Sequence, residues 1–479
     1  NEGAVALQIG ITMMKPGKYT SSQMSLFDTD EWGSSQSVKG TDVYNAKSGQ
    51  VRQEWLSGCR EERALTQDLL SKIADLKNLE TALRKVVSNK GTAGIDGMQV
   101  QELKAWFSAH YRALQTEIMS GTYKTAAVKE VWIPKPNGGK RKLGIPTAKD
   151  RLVQQAISQI LSARYEPIFS DHSYGFRPGR NAHQALRKAG EYVTEGRNWA
   201  VDIDMSKFFD EVNHDRLLWQ LRTRIGDKRV LKLIGQFLRA GILSGGMTNQ
   251  QIKGTPQGSP LSPLLSNIVL DELDKELEKR GHRFVRYADD LIIMVGSEQS
   301  ANRVMKGITS FIENRMRLKV NAEKSQIVRP HQLNFLGHCI LKDGTLGLSQ
   351  RSEQRFKAKL KALTKRNRGI SFEQLISEIN PKLRGWLNYF RHAKMRRRLS
   401  RIESWLRRRL RCYRLKQCKR ALGIARFLYK LKVPWKRCWT TAGSSKGWFR
   451  LSITYAAHEG MNLKWFNDTG LYNLTANYG

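Results

Sequence analysis

The chain has 479 residues, of which 82 are Lys or Arg and 43 are Asp or Glu, so its net charge is +39. An apolar fraction of 40% with 12 tryptophans excludes a wholly disordered chain, and the length allows about two to four domains. So large an excess of positive charge repels itself unless an anion neutralises it. It favours nucleic acid as the ligand, ahead of an anionic membrane surface, and argues against a soluble metabolic enzyme.

The five cysteines are odd in number and form no Cys-x-x-Cys pair. This excludes a disulfide scaffold, a zinc ribbon and an iron–sulfur site, and predicts a reducing, cytosol-like compartment. No apolar run reaches the roughly 18 residues that a membrane-spanning helix needs. The sequence therefore predicts no membrane association.

Residues 1–59 are rich in Ser, Gly, Thr and Asp, which predicts a partly disordered arm or extension. The spacing of apolar residues then predicts three helices and one strand, in this order: helix 60–88, helix 99–119, strand 128–133 and helix 148–165. A basic hairpin loop follows the strand at 134–142, because Pro and Gly alternate there with Lys and Arg.

Two segments carry acidic residues in apolar surroundings. Residues 199–205 alternate apolar and acidic side chains, which predicts a strand, and residues 284–295 predict two strands around a tight acidic tip. Carboxylates at strand ends are costly to bury unless they are paired or bind a metal. Two converging strands could hold three carboxylates around divalent cations. The alternative is that these acids are surface charges paired with the many Lys and Arg side chains.

The charge is concentrated towards the end of the chain. Residues 351–479 contain 32 basic and 6 acidic residues, and residues 391–420 contain 14 basic residues and one acid. Leucine and isoleucine recur there every three or four residues, which predicts a helix with a basic outer face. Such a face is usually only solvated, but this imbalance favours phosphate binding. The shift in composition predicts a domain boundary near 345–355.

Three motifs in order resemble the palm of reverse transcriptases. The first is Asp-x5-Asp at 204–210, followed by Asn213-His214. The second is Gln-Gly-x-x-x-Ser-Pro at 257–263, and the third is Tyr-Ala-Asp-Asp at 287–290. One four-residue motif is weak support, whereas three in this order with plausible spacing are strong.

Further motifs narrow the resemblance to group II intron-encoded reverse transcriptases and maturases of the type that lacks an endonuclease. The similarity runs from about residue 60 to the last residue. The segments that carry it are 89–97, 133–146, 150–154, 173–178, 335–337, 383–390, 405–411 and 470–474.

The resemblance implies an α+β right-hand polymerase. Fingers and a palm with an antiparallel sheet would occupy 60–350, and an α-helical thumb and maturase (X) domain would occupy 351–479. Many family members continue into an endonuclease with His-Asn-His and cysteine pairs. Nothing after Cys438 supplies such ligands, so we expect no endonuclease domain.

The resemblance also implies the catalytic residues. Asp204, Asp289 and Asp290 would bind two Mg²⁺ ions, or Mn²⁺ in their place, and a primer 3′ hydroxyl would attack the α-phosphate of a dNTP. Lys324 resembles a palm lysine that protonates the leaving pyrophosphate; the alternative is an exposed lysine without this role.

Five more residues are implied to bind the incoming dNTP. Phe209 would lie beneath the sugar and exclude a ribose 2′-OH, unless it is only a core side chain. Lys135 and Arg141 would clasp the triphosphate, unless they belong to a solvated basic turn. Gln257 would touch the nucleotide, and Gly258 would permit close backbone approach at a turn before a helix.

The residues expected to contact nucleic acid are all basic. For Arg177 the alternative is a structural ion pair, and for the residues within 391–420 it is a solvated helix face. They are Lys90, Arg177, Arg384, Arg396, Arg397, Arg398, Arg407, Arg408, Arg409, Arg411 and Arg414.

Together these features predict an RNA-directed DNA polymerase that copies a group II intron RNA during retrotransposition and binds that RNA as a splicing maturase. The implied partners are the intron RNA, target DNA, a primer–template duplex and dNTPs, in a bacterial cytoplasmic ribonucleoprotein, as a monomer or a homodimer. Three alternatives stay open: a maturase that only binds RNA, a domesticated enzyme of defence or repair, and a diversity-generating enzyme. The last family usually carries Ser-Gln where this chain has Ser262-Pro263.

Overall fold

The computed structural model describes residues 68–134, 139–244, 247–249, 254 and 258–479. Helices and short sheets alternate up to about residue 348, and helices follow to the end. This confirms the predicted α+β class. The predicted N-terminal arm and the first residues of the predicted helix 60–88 lie outside the described residues.

The first helices pack into one core with the palm. They are α1 (Leu69–Ala74), α2 (Leu76–Ser88), α3 (Leu103–Ser120) and α4 (Ala148–Tyr165). The chain breaks between α1 and α2 because the Asp75 side chain accepts a hydrogen bond from the Asn78 backbone N–H and so begins a new helix. Thr147 caps α4 in the same way. The predicted helices are therefore confirmed, with one break that the apolar periodicity does not show.

A four-stranded sheet with the order β2-β1-β4-β5 follows α3. Its strands are β1 (Val128–Pro134), β2 (Lys140–Ile145), β4 (Ile242–Ser244) and β5 (Met247–Asn249). The antiparallel register of β1 and β2 places Ile133 opposite Arg141. The predicted strand and hairpin are confirmed, although residues 135–138 of the loop lie outside the described residues.

The second four-stranded sheet, called here the palm sheet, has the order β6-β7-β3-β8 and is antiparallel throughout. Its strands are β3 (Trp199–Asp204), β6 (Arg283–Tyr287), β7 (Asp290–Val295) and β8 (Gln326–Val328). Val201 and Ile203 are fully buried on one face of β3, while Asp202 and Asp204 are half-buried on the other. Both strand predictions made from the acidic segments are confirmed.

Helices surround the palm sheet: α5 (Ala182–Thr194), α6 (Phe208–Glu211), α7 (His214–Arg224), α8 (Lys228–Arg239), α9 (Ser262–Lys279) and α10 (Glu298–Ser310). Helix α10 packs on the face of Val201 and Ile203. Helix α5 packs on the opposite face against Val285, Ile292 and Met294. The carboxylates of β3 therefore lie on the face away from α10.

The C-terminal region forms a helical body behind the hairpin β9 (His338–Ile340) and β10 (Leu346–Leu348). Its helices are α11 (Gln350–Leu363), α12 (Phe372–Phe390), α13 (Arg396–Gln417), α14 (Ala421–Lys430), α15 (Trp435–Ala442), α16 (Trp448–Leu451), α17 (Tyr455–Gly460) and α18 (Leu463–Asp468). They share a core of their own that begins at Leu348. The apolar stripe that predicted α13 is buried in it, which confirms that helix.

Two expectations from composition can be compared with the described residues. Cys339, Cys412, Cys418 and Cys438 are free thiols, and Cys59 lies outside the described residues. In the part of the chain that the structure describes, no helix combines the length and the apolar character needed to span a bilayer.

Candidate active site

The three predicted carboxylates lie at one end of the palm sheet. Asp204 is the last residue of β3 and Asp290 is the first of β7, and the two are direct partners in the antiparallel ladder. Asp289 precedes Asp290 in the tight turn after β6, where Ala288 has a left-handed φ of 57°. Directly opposed residues bring their Cβ atoms to within about 4.5–5.5 Å. The antiparallel register therefore joins two acidic segments that are far apart in the sequence.

The loop before β8 closes over the end of β3. The Asp204 N–H donates to the Ser325 hydroxyl (3.1 Å), and the Asn321 N–H donates to the Asp204 carbonyl (2.8 Å). Lys324 Nζ lies 3.2 Å from Asp204 Oδ1, with the lysine side chain 62% exposed. The structure thus brings Lys324, which the sequence places 120 residues away, into contact with the acidic group.

Several negative charges lie close together at this end of the palm sheet, in what is called here the acidic group (Asp202, Asp204, Asp289 and Asp290). Although part of Asp290 reaches solvent, desolvation by the surrounding protein and then the charges of Asp289, Asp202 and Asp204 raise its pKa to about 7. Burial also raises the pKa of Asp202, even though the Gln326 amide donates to its carboxylate (3.0 Å). Negative charge at this sheet end is therefore unfavourable until a cation compensates it.

The structure does not show a ready-made metal site. Within the described ranges, no group of three His, Cys, Asp or Glu side chains is close enough together to hold an ion. The donors are nevertheless suitable, since carboxylate oxygens are the hard ligands that Mg²⁺ prefers. Cation binding would require the three side chains to draw together, with the Lys324 ammonium giving up its contact with Asp204.

A buried arginine, which sequence reasoning missed, holds the acidic turn. Arg286 is fully buried in β6 and forms a two-pronged ion pair with Asp274 of α9, with Nε–Oδ1 at 2.7 Å. Its Nη1 donates to the Ala288 carbonyl (2.9 Å) and to Asn267 Oδ1 (3.0 Å). One guanidinium therefore ties the turn before Asp289 to α9. The available signal was a charged residue inside an otherwise apolar strand.

A glycine on the neighbouring segment fits against the same turn. A Cβ on Gly175 would stand 2.2 Å from the Ala288 backbone nitrogen, so only glycine fits without a shift of the backbone. The Asn267 amide donates to the Gly175 carbonyl (2.9 Å), and the Tyr174 N–H donates to the Arg286 carbonyl (2.9 Å). The motif at 173–178 thus supports the acidic turn through its backbone.

The residues predicted to bind dNTP are only partly described. Phe209 is half-buried in α6 with its ring edge-to-face against Phe208 (5.4 Å between centroids), and Phe208 is a core residue. Gly258 has φ +114°, and a Cβ there would lie 3.1 Å from the Gly144 carbonyl of β2. Lys135 and Gln257 lie outside the described residues. Arg141 belongs to β2, but its side chain is also outside them.

Some of the predicted nucleic-acid contacts face inward. Arg177 is buried, pairs with Glu166 (2.8 Å) and donates to the Ser173 carbonyl (2.9 Å), which favours the alternative of a structural ion pair. Arg411 is buried as well and donates to the Met461 carbonyl (3.0 Å). Both guanidinium groups therefore hold the fold, and the contact of these two residues with nucleic acid stays a prediction.

The remaining thumb arginines differ in accessibility. Arg398, Arg407, Arg408 and Arg409 each make a contact inside the protein, with Leu348, Glu403, Phe449 and Thr364 respectively. The predicted contacts that are exposed are Lys90, Arg384, Arg396, Arg397 and Arg398, and Arg414 is half-buried. Only part of the basic cluster is therefore available to a ligand.

Comparison with known proteins agrees with this geometry. Residues 133–340 match the family "Reverse transcriptase (RNA-dependent DNA polymerase)", and residues 353–430 match the family "Group II intron, maturase-specific domain". The chain is also 32% identical over 320 residues to Protein YkfC of Escherichia coli, of which it covers 83%. It belongs to the group II intron reverse transcriptase and maturase family.

Two further comparisons cover a smaller share of the protein that is compared with this chain. The group II intron-encoded protein LtrA of Lactococcus lactis is 32% identical over 349 residues, which are 57% of this chain. The chain covers 57% of LtrA, less than two thirds of that relative's length. A chain of a partial Cas6-RT-Cas1–Cas2 complex aligns with 52% of this chain, and 43% of that chain is covered, at 23% identity and a TM-score of 0.34. That likeness is too weak to carry a conclusion.

Proposed function

We propose that this member of the family is an RNA-directed DNA polymerase that copies a group II intron RNA into DNA and also binds that RNA as a maturase. The observation that carries the proposal is the register that sets Asp204 opposite Asp290, with Asp289 beside it in a turn fixed by Arg286. A solvated surface charge needs no such support. The intact carboxylate set favours an active polymerase over a maturase that only binds RNA.

Divalent cations fit the donors, and enzymes of the reverse transcriptase family generally use them. Two Mg²⁺ ions held by Asp204, Asp289 and Asp290 would stabilise the attacking and leaving oxygens of nucleotidyl transfer. Desolvation and then the charges of Asp289, Asp202 and Asp204 raise the pKa of Asp290, so a negative charge is unfavourable there without a cation. This electrostatic cost supports the assignment of the cluster as a cation site.

The chain's own groups would supply positioning and proton transfer. Phe209 would lie beneath the incoming sugar and exclude a 2′-OH, and the backbone at Gly258 would allow close approach of the nucleotide. Lys324 would give a proton to the leaving pyrophosphate after releasing Asp204. Lys135, Arg141 and Gln257 complete the proposed nucleotide site, and alignment of the reacting atoms would supply much of the rate enhancement.

The exposed basic residues of the helical body would bind the intron RNA and the primer–template duplex. Each phosphate that a Lys or Arg neutralises releases counterions, so affinity should fall steeply with salt. Arg384, Arg396, Arg397 and Arg414 are the thumb residues we assign to this role, and Lys90 serves it on the fingers side. The same proposal includes target DNA as a partner. It also places the protein in a bacterial cytoplasmic ribonucleoprotein, as a monomer or a homodimer.

Primer extension on an RNA template with Mg²⁺ tests the proposal. Asp289→Ala should abolish extension, and chelation of divalent cations should do the same. Asp215, whose side chain is 89% exposed on α7, supplies a matched control: Asp215→Ala should extend normally. Extension that survives Asp289→Ala would contradict the assignment of the acidic group, and an unchanged chain that binds RNA but never extends a primer would leave only the maturase function.

A further inference from the structure

A cavity of about 570 Å³ opens in the helical body, away from the acidic end of the palm sheet. Its walls come from the end of α11 with the following turn, from one side of α13, and from α16. The lining residues are Lys361, Thr364, Lys365, Arg366, Asn367, Arg409, Cys412, Lys416, Trp448 and Phe449. A volume of this size falls within the range of about 300–1,000 Å³ that is typical of small-ligand clefts.

One wall of the cavity is aromatic. Trp448 is half-buried, and Phe449 is 45% exposed. The Arg408 guanidinium lies 3.7 Å from the centre of the Phe449 ring, a distance that allows a cation–π contact to hold the ring in place. The maturase family match ends at residue 430, so this wall lies beyond it. An exposed aromatic wall in a cleft offers a surface on which a flat ring can stack.

Another part of the lining is basic, and one of its arginines is fixed by several hydrogen bonds. Arg409 Nε donates to the hydroxyl of the buried Thr364 (2.6 Å), and Nη2 donates to the Lys361 and Thr364 carbonyls at the end of α11. The guanidinium of this lining residue is therefore held in place before any ligand arrives.

No acidic residue in the cavity lining balances its positive charge. Five of its residues are Lys or Arg, and none is Asp or Glu. Burial and the nearby Arg366 lower the pKa of Arg409, and burial raises the pKa of the Cys412 thiol, so the thiol supplies no negative charge. An anionic ligand would relieve the repulsion among these cations.

From the aromatic wall and the cations of the same lining we propose that this cavity receives one unpaired nucleotide of a bound RNA, with its base against Trp448 and Phe449 and its phosphate against Lys365, Arg409 and Lys416. A phosphate alone would not need the aromatic wall, and an apolar ligand would not need five cations. Stacking on aromatic side chains is how unpaired bases of structured RNA are commonly bound. The proposal rests on the proposed RNA-binding function and names the structural feature of the RNA that this site selects.

The test compares two RNA hairpins that differ only by one bulged purine, with the full chain and equilibrium binding. The unchanged protein should bind the bulged hairpin roughly tenfold more tightly, which is about 1.4 kcal/mol. Trp448→Phe should keep that preference because the ring remains, and the double change Trp448→Ala with Phe449→Ala should remove it. Trp219→Ala, at an exposed tryptophan of α7, should leave it unchanged. Equal affinity of the unchanged protein for both hairpins would overturn the proposal.

Trp448 also packs against the core, so its replacement by Ala can destabilise the fold. A second variant therefore tests the cavity without changing this residue. Lys365→Ala with Lys416→Ala changes two exposed side chains and should weaken binding of the bulged hairpin more than binding of the paired one. It should also reduce the salt slope by about 0.7 per lost phosphate contact. Equal weakening of both hairpins would mean that the two lysines bind only the duplex and would refute the site. Excess free mononucleotide should abolish the bulge preference, and a preference that survives it would contradict the cavity.

Failure of this proposal can be told from failure of the proposed function. Asp289→Ala should lose primer extension and keep the bulge preference. An unchanged protein that extends a primer but ignores the bulge refutes the cavity alone. A protein that prefers the bulge but cannot extend a primer refutes the polymerase assignment alone.

Discussion

A buried arginine of the palm and a buried arginine of the helical C-terminal body have different kinds of partner. In the palm, Arg286 is paired with a buried carboxylate, Asp274. In the C-terminal body, the buried Arg411 donates instead to the Met461 carbonyl, in a region (351–479) that contains only 6 acids for 32 basic residues. Basic residues there build the fold as well as bind ligands. A count of positive charges therefore overstates the number of RNA contacts.

The same contrast applies to function. The first 350 residues carry 50 basic and 37 acidic residues, and the acids that matter lie at one end of the palm sheet. The C-terminal body carries most of the net charge and a cavity free of acidic residues. We therefore expect changes in the palm to affect chemistry with little effect on RNA affinity, and changes in exposed residues of the C-terminal body to do the reverse.

The largest expected effect comes from Asp204. Asp204→Asn removes one of the proposed metal ligands, and a loss of about 4 kcal/mol of transition-state stabilisation would lower primer extension roughly a thousandfold. Affinity for the intron RNA should stay within about twofold, since the residue makes no phosphate contact in this account. Single-turnover extension and equilibrium RNA binding on the same preparation measure both. A parallel loss of RNA affinity would break the division between the two regions.

Phe209 should control sugar selectivity. Phe209→Ala should allow ribonucleotides to be incorporated, with discrimination against them falling by roughly a hundredfold, because a steric contact is worth about 1–3 kcal/mol. Phe209→Tyr keeps the ring and should keep the discrimination. The ratio of kcat/KM for dNTP and rNTP measures this effect. If the ratio stays unchanged in Phe209→Ala, the ring is only a core side chain.

Arg286 should act through the turn that it holds. Arg286→Met leaves Asp274 buried without a partner and should cost about 3–5 kcal/mol of stability, measured by urea unfolding. The double change Arg286→Met with Asp274→Leu should recover much of that stability. It should not recover kcat for extension, because the Ala288 carbonyl stays unheld. If kcat recovers together with stability, Arg286 has only a structural role; a specific rise in the Mg²⁺ requirement of the double variant would support positioning of the acidic turn.

The smallest expected effects should distinguish the exposed arginines of the C-terminal body from the buried one. Arg396→Ala with Arg397→Ala changes exposed residues and should lower the salt slope of RNA binding by about 0.7–0.9 per contact, without changing stability. Arg411→Met should cost about 1–3 kcal/mol of stability, because the Met461 carbonyl loses its donor, with the slope unchanged. Arg303→Ala with Lys306→Ala on α10, on the face away from the carboxylates, is the charge-matched control. Equal slopes for all three variants would contradict the assignment of the exposed pair.

Much of the fold was predictable because its signals are local. The alternation in 199–205 and the turn between two apolar half-strands at 284–295 identify β3, β6 and β7 directly, and the apolar stripe identifies α13. The register that opposes Asp204 and Asp290 needs the strand pairing, which no local pattern contains. Similarity of motifs predicted that these residues meet, and the ladder shows how the backbone brings them together.

The sequence does not predict where long basic side chains point. Arg177 and Arg411 look like the other arginines in the sequence, but one reaches Glu166 and the other reaches the carbonyl at Met461. Such partners are distant in sequence and follow from tertiary packing. Arg286 was missed for the related reason that its partner, Asp274, lies on another element. Charge type can be predicted from the sequence, whereas accessibility has to be observed.

The most direct test of the two-region account measures RNA-templated extension and intron RNA affinity side by side for Asp289→Ala and for Arg396→Ala with Arg397→Ala. The account predicts that Asp289→Ala abolishes extension and keeps the affinity and its salt slope. It predicts that the arginine pair lowers affinity and slope, while a saturating, pre-annealed primer–template is still extended. Extension by Asp289→Ala, or loss of RNA affinity in that variant with the arginine pair unaffected, would contradict the account.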